Sequence, residues 1–344
     1  MSKYFKTAVL ILSLTAMIFL LIKSETAISG AIKGLTLCSD IIIPTLFPFA
    51  VFSLFIFNAN LIDVLPINNL KINKTALSIF LISLIGGYPI GAKLINNAYK
   101  NGKLSKHNAC YLLMFCVNSG PSFVISAVGY KILGSKQLGF ILLCAHILSS
   151  LQIYLILMKK IEPETKEKLP NNKVGYAEKF VNSVSDAGKS TLGICYYVVI
   201  FSTVGAIIQN TSLTPIIKNT VVNLFEVTNA VISTKNIYLI SFYIGFSGLS
   251  IIFQVISFTT GFSPNIFAVF TSRIIHGILS VINTFWLLKI IKPKMPTYSN
   301  IKNDILNISL NSAIISLLLI FTIVIFLISI NSKKYCGRLF KDIV

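Results

Sequence analysis

The chain has 344 residues, 54% hydrophobic and 12% charged, with 30 Lys plus Arg against 11 Asp plus Glu and a formal net charge of +19. A mean hydropathy of +0.80 with about half the usual charge content excludes an ordinary soluble domain, and long continuous apolar runs exclude an alternating β-barrel. Nucleic-acid binding is excluded as the reason for the basic excess. The cations sit in short connections between apolar runs (Lys3, Lys6; Lys100, Lys103, Lys106; Lys289, Lys292, Lys294; Lys333, Lys334, Arg338, Lys341), the pattern of cytoplasmic loops.

The sequence therefore predicts an all-α polytopic membrane protein with about 8–10 transmembrane or re-entrant helices in two halves that contain broken helices. The expected spans are 7–22, 41–57, 75–95, 108–130, 137–158, 191–210, 237–258, 265–288 and 312–330, with 215–225 as a short or re-entrant piece. The expected division is 1–40 as a first span and interfacial helix, 41–158 as a first half, 159–190 as a hydrophilic linker with an amphipathic helix, 191–290 as a second half, and 291–344 as an anchor span and basic tail. Both ends are basic, which favours an N-in, C-in topology and an even number of full crossings.

Lys3 and Lys6 precede the first apolar run, which reads as an uncleaved span; small residues at 27–31 leave a signal peptide as the alternative. Residues 26–37, interrupted by Gly30, Lys33 and Gly34, read as an interfacial helix. Pro44 and Pro48 kink the next span and free carbonyls, for packing or for function.

The next apolar run is interrupted by Gly86-Gly87-Tyr88-Pro89-Ile90-Gly91-Ala92-Lys93. Pro89 cannot donate a main-chain hydrogen bond, it pushes Tyr88 out of helical geometry, and the glycines weaken the helix on both sides. The freed polar groups cannot face lipid, and Lys93 brings a charge close to membrane depth. A second interruption, Asn118-Ser119-Gly120-Pro121-Ser122, follows in the next run. The two breaks are expected to face one another around a midplane site.

His146 lies in an otherwise ordinary span, where a bond to a neighbouring helix is expected rather than a proton relay. In the hydrophilic connection 159–189, Glu162, Glu164 and Glu167 alternate with lysines, and Pro163 and Pro170 act as breakers. Tyr176, Phe180, Val181 and Val184 recur there at helical spacing, as in an amphipathic surface helix. In the second half Glu226 follows the weak apolar piece, Gly245-Phe246-Ser247-Gly248-Leu249-Ser250 forms a third break, and Gln254 follows it. Arg273 and His276 interrupt an apolar run. An Arg at a helix centre costs roughly 2.5–3.5 kcal/mol on insertion scales. Arg273 must therefore face the protein interior or a wet cavity, or else snorkel from a helix end.

Cys38, Cys110, Cys116, Cys144, Cys195 and Cys336 show no C-x-x-C spacing and read as packing residues. His107, His146 and His276 lie far apart, so no metal site is expected. No paired carboxylates and no Ser, His and Asp order suggest catalytic residues, so neither an enzyme nor a cofactor is expected.

Seven stretches together resemble one family, the sporulation integral membrane protein YlbJ, within the group carrying the nucleoside recognition or Gate domain. They are PTLFPFAVFS (44–53), GGYPIGAK (86–93), NSGPSFVISAVG (118–129), GICYYVVIFS (193–202), FEVTNA (225–230), GFSGLSIIFQV (245–255) and RIIHGILS (273–280). Ala230 and the pair Ile252-Phe253 depart from the expected pattern. The resemblance implies two Gate-like halves and a multi-pass protein of the mother-cell or outer forespore membrane, needed for the spore cortex. It also implies kinship with nucleoside transporters, in which unwound helices meet around the solute. The function expected is transporter-like movement of a small solute; the alternative is a non-transporting scaffold for cortex assembly. The expected solute site comprises Tyr88, Pro89, Gly91, Lys93, Asn118, Ser119, Gly120, Glu226, Ser247, Gln254 and Arg273, with Glu226 as counter-ion to Lys93 or Arg273 or as a proton or cation site. The expected partners are the lipid bilayer, the solute and other sporulation membrane proteins, and not nucleic acid.

Overall fold

Main-chain polar groups in a bilayer must be satisfied within the protein, and this chain does so with helices. The computed structural model describes residues 3–64, 73–163 and 175–293. No strand occurs among them. The expected anchor span 312–330, Cys336 and the basic tail lie outside the described residues.

Helix α1 (Lys3–Ile22) has no buried residue in its apolar stretch within the described chain. Helix α2 (Ser24–Leu37), a π-turn (Cys38–Ile42) and α3 (Ile43–Asn58) follow as one continuous span. The stretch 26–37 thus runs on into the next span without a break. Gly30 and Gly34, read as breakers, are instead the contact face with α8 (Tyr176–Gln209). A Cβ at Gly30 would stand 2.7 Å from Ala206 and 2.8 Å from the Thr203 backbone. Without a hydrophobic force between helices in lipid, such small residues let backbones approach.

Next come α4 (Lys74–Gly86), α5 (Ile90–Lys100), α6 (Lys106–Leu113), a π-helix (Ser122–Ile132) and α7 (Lys136–Leu157). After the linker come α8, α9 (Pro215–Phe225), α10 (Val227–Ser233), α11 (Ile237–Phe246), α12 (Gly248–Phe258) and α13 (Ile266–Ile291). The amphipathic stretch at 176–184 is helical and forms the first part of α8. Gly188, Gly193 and Gly205 do not stop it, and the helix runs on for 34 residues, about 51 Å, well beyond a hydrocarbon core about 30 Å thick.

Six helices among the described residues are long and apolar enough to cross a membrane, as befits an all-α polytopic membrane protein. The chain order reads twice as long helix, interrupted pair, interrupted pair, long helix. The first round is α2–α3, α4/α5, α6/π-helix and α7; the second is α8, α9/α10, α11/α12 and α13. Glycine contacts recur in both rounds. Gly129 of the π-helix meets Gly139 of α7, and Gly245 of α11 meets Gly277 of α13. Polar side chains add to the second contact, where Ser241 bonds Ser280 at 2.9 Å and Thr284 at 2.7 Å.

Candidate functional site

The interruptions converge at one junction. At the first break Gly87 takes φ 75 and ψ −177, a conformation open only to glycine, and the chain turns through Tyr88 and Pro89 into α5. A Cβ at Gly87 would stand 3.0 Å from the Gly120 nitrogen, and one at Gly91 only 1.8 Å from the Cys116 carbonyl oxygen. The first and second breaks therefore touch backbone to backbone. In the second half, a Cβ at Gly248 would lie 3.2 Å from both the Phe225 carbonyl oxygen and the Val227 nitrogen. The α9/α10 break thus packs on the α11/α12 break.

Tyr88 joins the two pairs. Its hydroxyl donates to the Ile244 carbonyl at 2.5 Å, lies within reach of Ser119 and Ser247, and feels the charges of Arg273 and Glu226. Asn118 Nδ2 donates to Ser83 Oγ at 3.1 Å and to the Phe115 carbonyl at 2.9 Å. The Ser119 N–H donates to His146 Nε2 at 2.9 Å. Neutral His146 accepting there carries its proton on Nδ1. His276 Nε2 donates to the His146 carbonyl at 3.1 Å, and the two rings stack with centroids 4.4 Å apart.

Arg273 lies in the interior with no exposed surface, so of its two expected placements the snorkelling one does not hold. Its Nη1 and Nη2 donate to the carbonyls of Val117 and Met114. Those carbonyls belong to the unwound stretch after α6, and the guanidinium supplies donors that a continuing helix would otherwise have supplied.

The remaining expected residues take partners of their own. Gln254 is buried, with its Nε2 donating to Ser250 Oγ at 3.1 Å. Glu226 Oε2 accepts from the Asn229 N–H at 2.8 Å and caps α10, and Lys33 is the cation acting on it. Lys93 points to α8, where its Nζ donates to the Asp186 carbonyl at 2.7 Å and to Ser190 Oγ at 2.8 Å, with the Asp186 carboxylate 3.8 Å away. The expected pairing of Glu226 with Lys93 or Arg273 is thus corrected. Lys93 finds a carboxylate on the long helix beside it, and Arg273 finds carbonyls.

Sequence reasoning missed Ser53, Ser202 and the pairing of His146 with His276. Ser53 lies against Gly86 of the first break, and Ser202 accepts from Asn229 Nδ2 at 3.3 Å beside the α9/α10 break. An internal comparison would have found them. Phe52-Ser53 repeats as Phe201-Ser202, Ser119-Gly120-Pro121-Ser122 as Ser247-Gly248-Leu249-Ser250, and each histidine precedes a Leu-Ser pair.

Comparison with protein-family models, with curated proteins and with solved structures gives no match for this chain.

Proposed function

We propose that the chain is a transporter-like membrane protein that moves a small solute through the four-break junction, acting in endospore cortex formation. The process rests on the resemblance to the YlbJ family; the transport reading rests on the junction. The single observation that carries it is the meeting of four helix interruptions around Tyr88, with Asn118, Ser119, Ser247 and Arg273 buried together there. Packing alone gives no reason to gather so many freed backbone groups at membrane depth, where each unsatisfied one is costly. Interrupted helices at a repeat interface supply both solute contacts and hinges.

The test is flux into proteoliposomes of the full chain, using labelled nucleosides, amino acids, organic anions and simple ions. Tyr88→Phe and Asn118→Ala run in parallel. Flux of one solute class, reduced in both variants, supports the proposal. If the parent moves nothing and both variants restore the cortex in a cortex-defective strain, the reading fails.

One observation favours the scaffold reading in that event. Both Nη groups of Arg273 are taken up by main-chain carbonyls, so part of the junction's polarity serves its own architecture.

A further inference from the structure

Several helices of this chain begin under a side-chain cap. Asn73, Ser105, Ser135, Asn236 and Asn265 accept from first-turn N–H groups of α4, α6, α7, α11 and α13. Of the four helices that start at the junction, α10 is capped by Glu226 and the other three differ. α5, the π-helix and α12 begin at Pro89, Pro121 and Ser247 with no side-chain cap. α8 and α9 also lack one, but they start at exposed Gly175 and Thr214, where water serves. At the junction Tyr88, Gly120, Ser247 and Gly248 are buried. Each helix start carries about half a positive charge on its orphan N–H groups, and the serines beside two of them, Ser119 ahead of the π-helix and Ser247 ahead of α12, lie within reach of the Tyr88 hydroxyl.

Arg273 adds an independent observation. The side chain is fully buried, and its Nε–H has no hydrogen-bond partner among the described residues. Among the described residues the guanidinium's bonds go to carbonyls and none to a carboxylate. Glu226 does not answer this charge, because its carboxylate caps α10. Two buried acceptors, Asn118 Oδ1 and Gln254 Oε1, likewise have no donor among the described residues. The junction therefore offers a positive centre with an unpaired acceptor oxygen on the second break, and a further one lies on α12.

We infer that the junction binds a small carboxylate that also carries a hydrogen-bond donor, the chemistry of a hydroxy acid or an amino acid. The carboxylate takes the uncapped start of α12 and Arg273 Nε–H. The ligand's hydroxyl or ammonium group meets the amide oxygen of Asn118. The inference rests on reading the junction as a solute site.

The test is thermal unfolding of the detergent-purified full chain with lactate, alanine, acetate, phosphate and uridine, each against sodium chloride at matched ionic strength. Lactate or alanine raises Tm with the logarithm of concentration, and acetate, which has no donor, raises it less. Whichever of lactate and alanine acts more strongly distinguishes the hydroxy acid from the amino acid. Ser247→Asp and Ser247→Asn form an isosteric pair at a left-handed position, φ 75, that both residues adopt. The Asp variant supplies its own carboxylate at the start of α12. The active carboxylate should bind it at least about tenfold more weakly than the Asn variant, about 1.4 kcal/mol.

Equal response of the two variants overturns the inference, as does equal stabilisation by acetate and lactate. Should the Asp variant fail to fold, the ranking of ligands on the parent decides alone. Stabilisation by uridine only overturns the carboxylate class and leaves the junction a solute site. No stabilisation by any probe removes both readings.

Discussion

Gly91→Ala tests whether the first two breaks touch as described. A Cβ at Gly91 would stand 1.8 Å from the Cys116 carbonyl oxygen and 3.0 Å from Ser83 Cβ, against an ordinary van der Waals range of 3.4–4 Å. The separation must therefore grow by well over an ångström, and the nearest atom is main chain, not the tip of a flexible side chain. Overpacking of this kind costs about 1–3 kcal/mol, occasionally more. The upper end applies, because Arg273 clamps the Val117 carbonyl one residue further on. Alanine returns up to about 1 kcal/mol in helix propensity, which leaves a net loss of about 2 kcal/mol or more. Gly188→Ala in α8 is the control. Its nearest neighbour would be Phe47 at 4.0 Å, so only the propensity gain remains. The assay is reversible unfolding in mixed micelles titrated with sodium dodecyl sulfate, read by circular dichroism. If Gly91→Ala falls within about 0.5 kcal/mol of Gly188→Ala, the ordinary range for a neutral substitution, the contact between the breaks is refuted.

Arg273→Lys keeps the charge but loses the planar fork that reaches two carbonyls, so unfolding free energy should fall by about 1.5–3 kcal/mol, one charge-assisted bond; parental stability would mean that the guanidinium holds nothing. Tyr88→Phe keeps the ring and leaves the Ile244 carbonyl with only the long 3.5 Å bond from Ser247 Oγ, a loss of about 1–3 kcal/mol. Faster amide exchange at the C-terminal turn of α11 would locate that loss, and unchanged exchange would argue against a bond between the two halves. Lys93→Met removes an ion pair whose Asp186 side chain is 40% exposed, so stability should fall by no more than about 1 kcal/mol. Ligand stabilisation should be unaffected, and its loss would return Lys93 to the solute site.

Where Gly and Pro sit beside polar residues inside an apolar run, the local physics is strong and sequence reading works. Gly86 to Pro89 and Ser119 to Pro121 break their helices because no neighbour can restore the missing donor or the missing Cβ restraint. Arg273 stood out for a similar reason, as the costliest group to place in lipid. Gly30 and Gly34 misled, because glycine lowers propensity and also permits close approach. Only the presence of α8 decides between those meanings. The amphipathic stretch at 176–184 is legible as a helix, but its end is not. A helical period tells which face is apolar, and it does not tell where a helix stops.

The sequence by itself determined the class of the protein and the positions of its breaks, because hydropathy, proline and glycine act over a few residues and need no partner. The tertiary structure alone decided what each polar side chain does. Lys93 and Arg273 are both cations in apolar surroundings, yet one reaches Asp186 and Ser190 on α8 and the other the carbonyls of Met114 and Val117. A buried charge settles on whatever acceptor the fold brings within about 3 Å, and these acceptors lie 93 to 159 residues away along the chain. The tertiary structure also set the Tyr88 hydroxyl against the Ile244 carbonyl, 156 residues away along the chain.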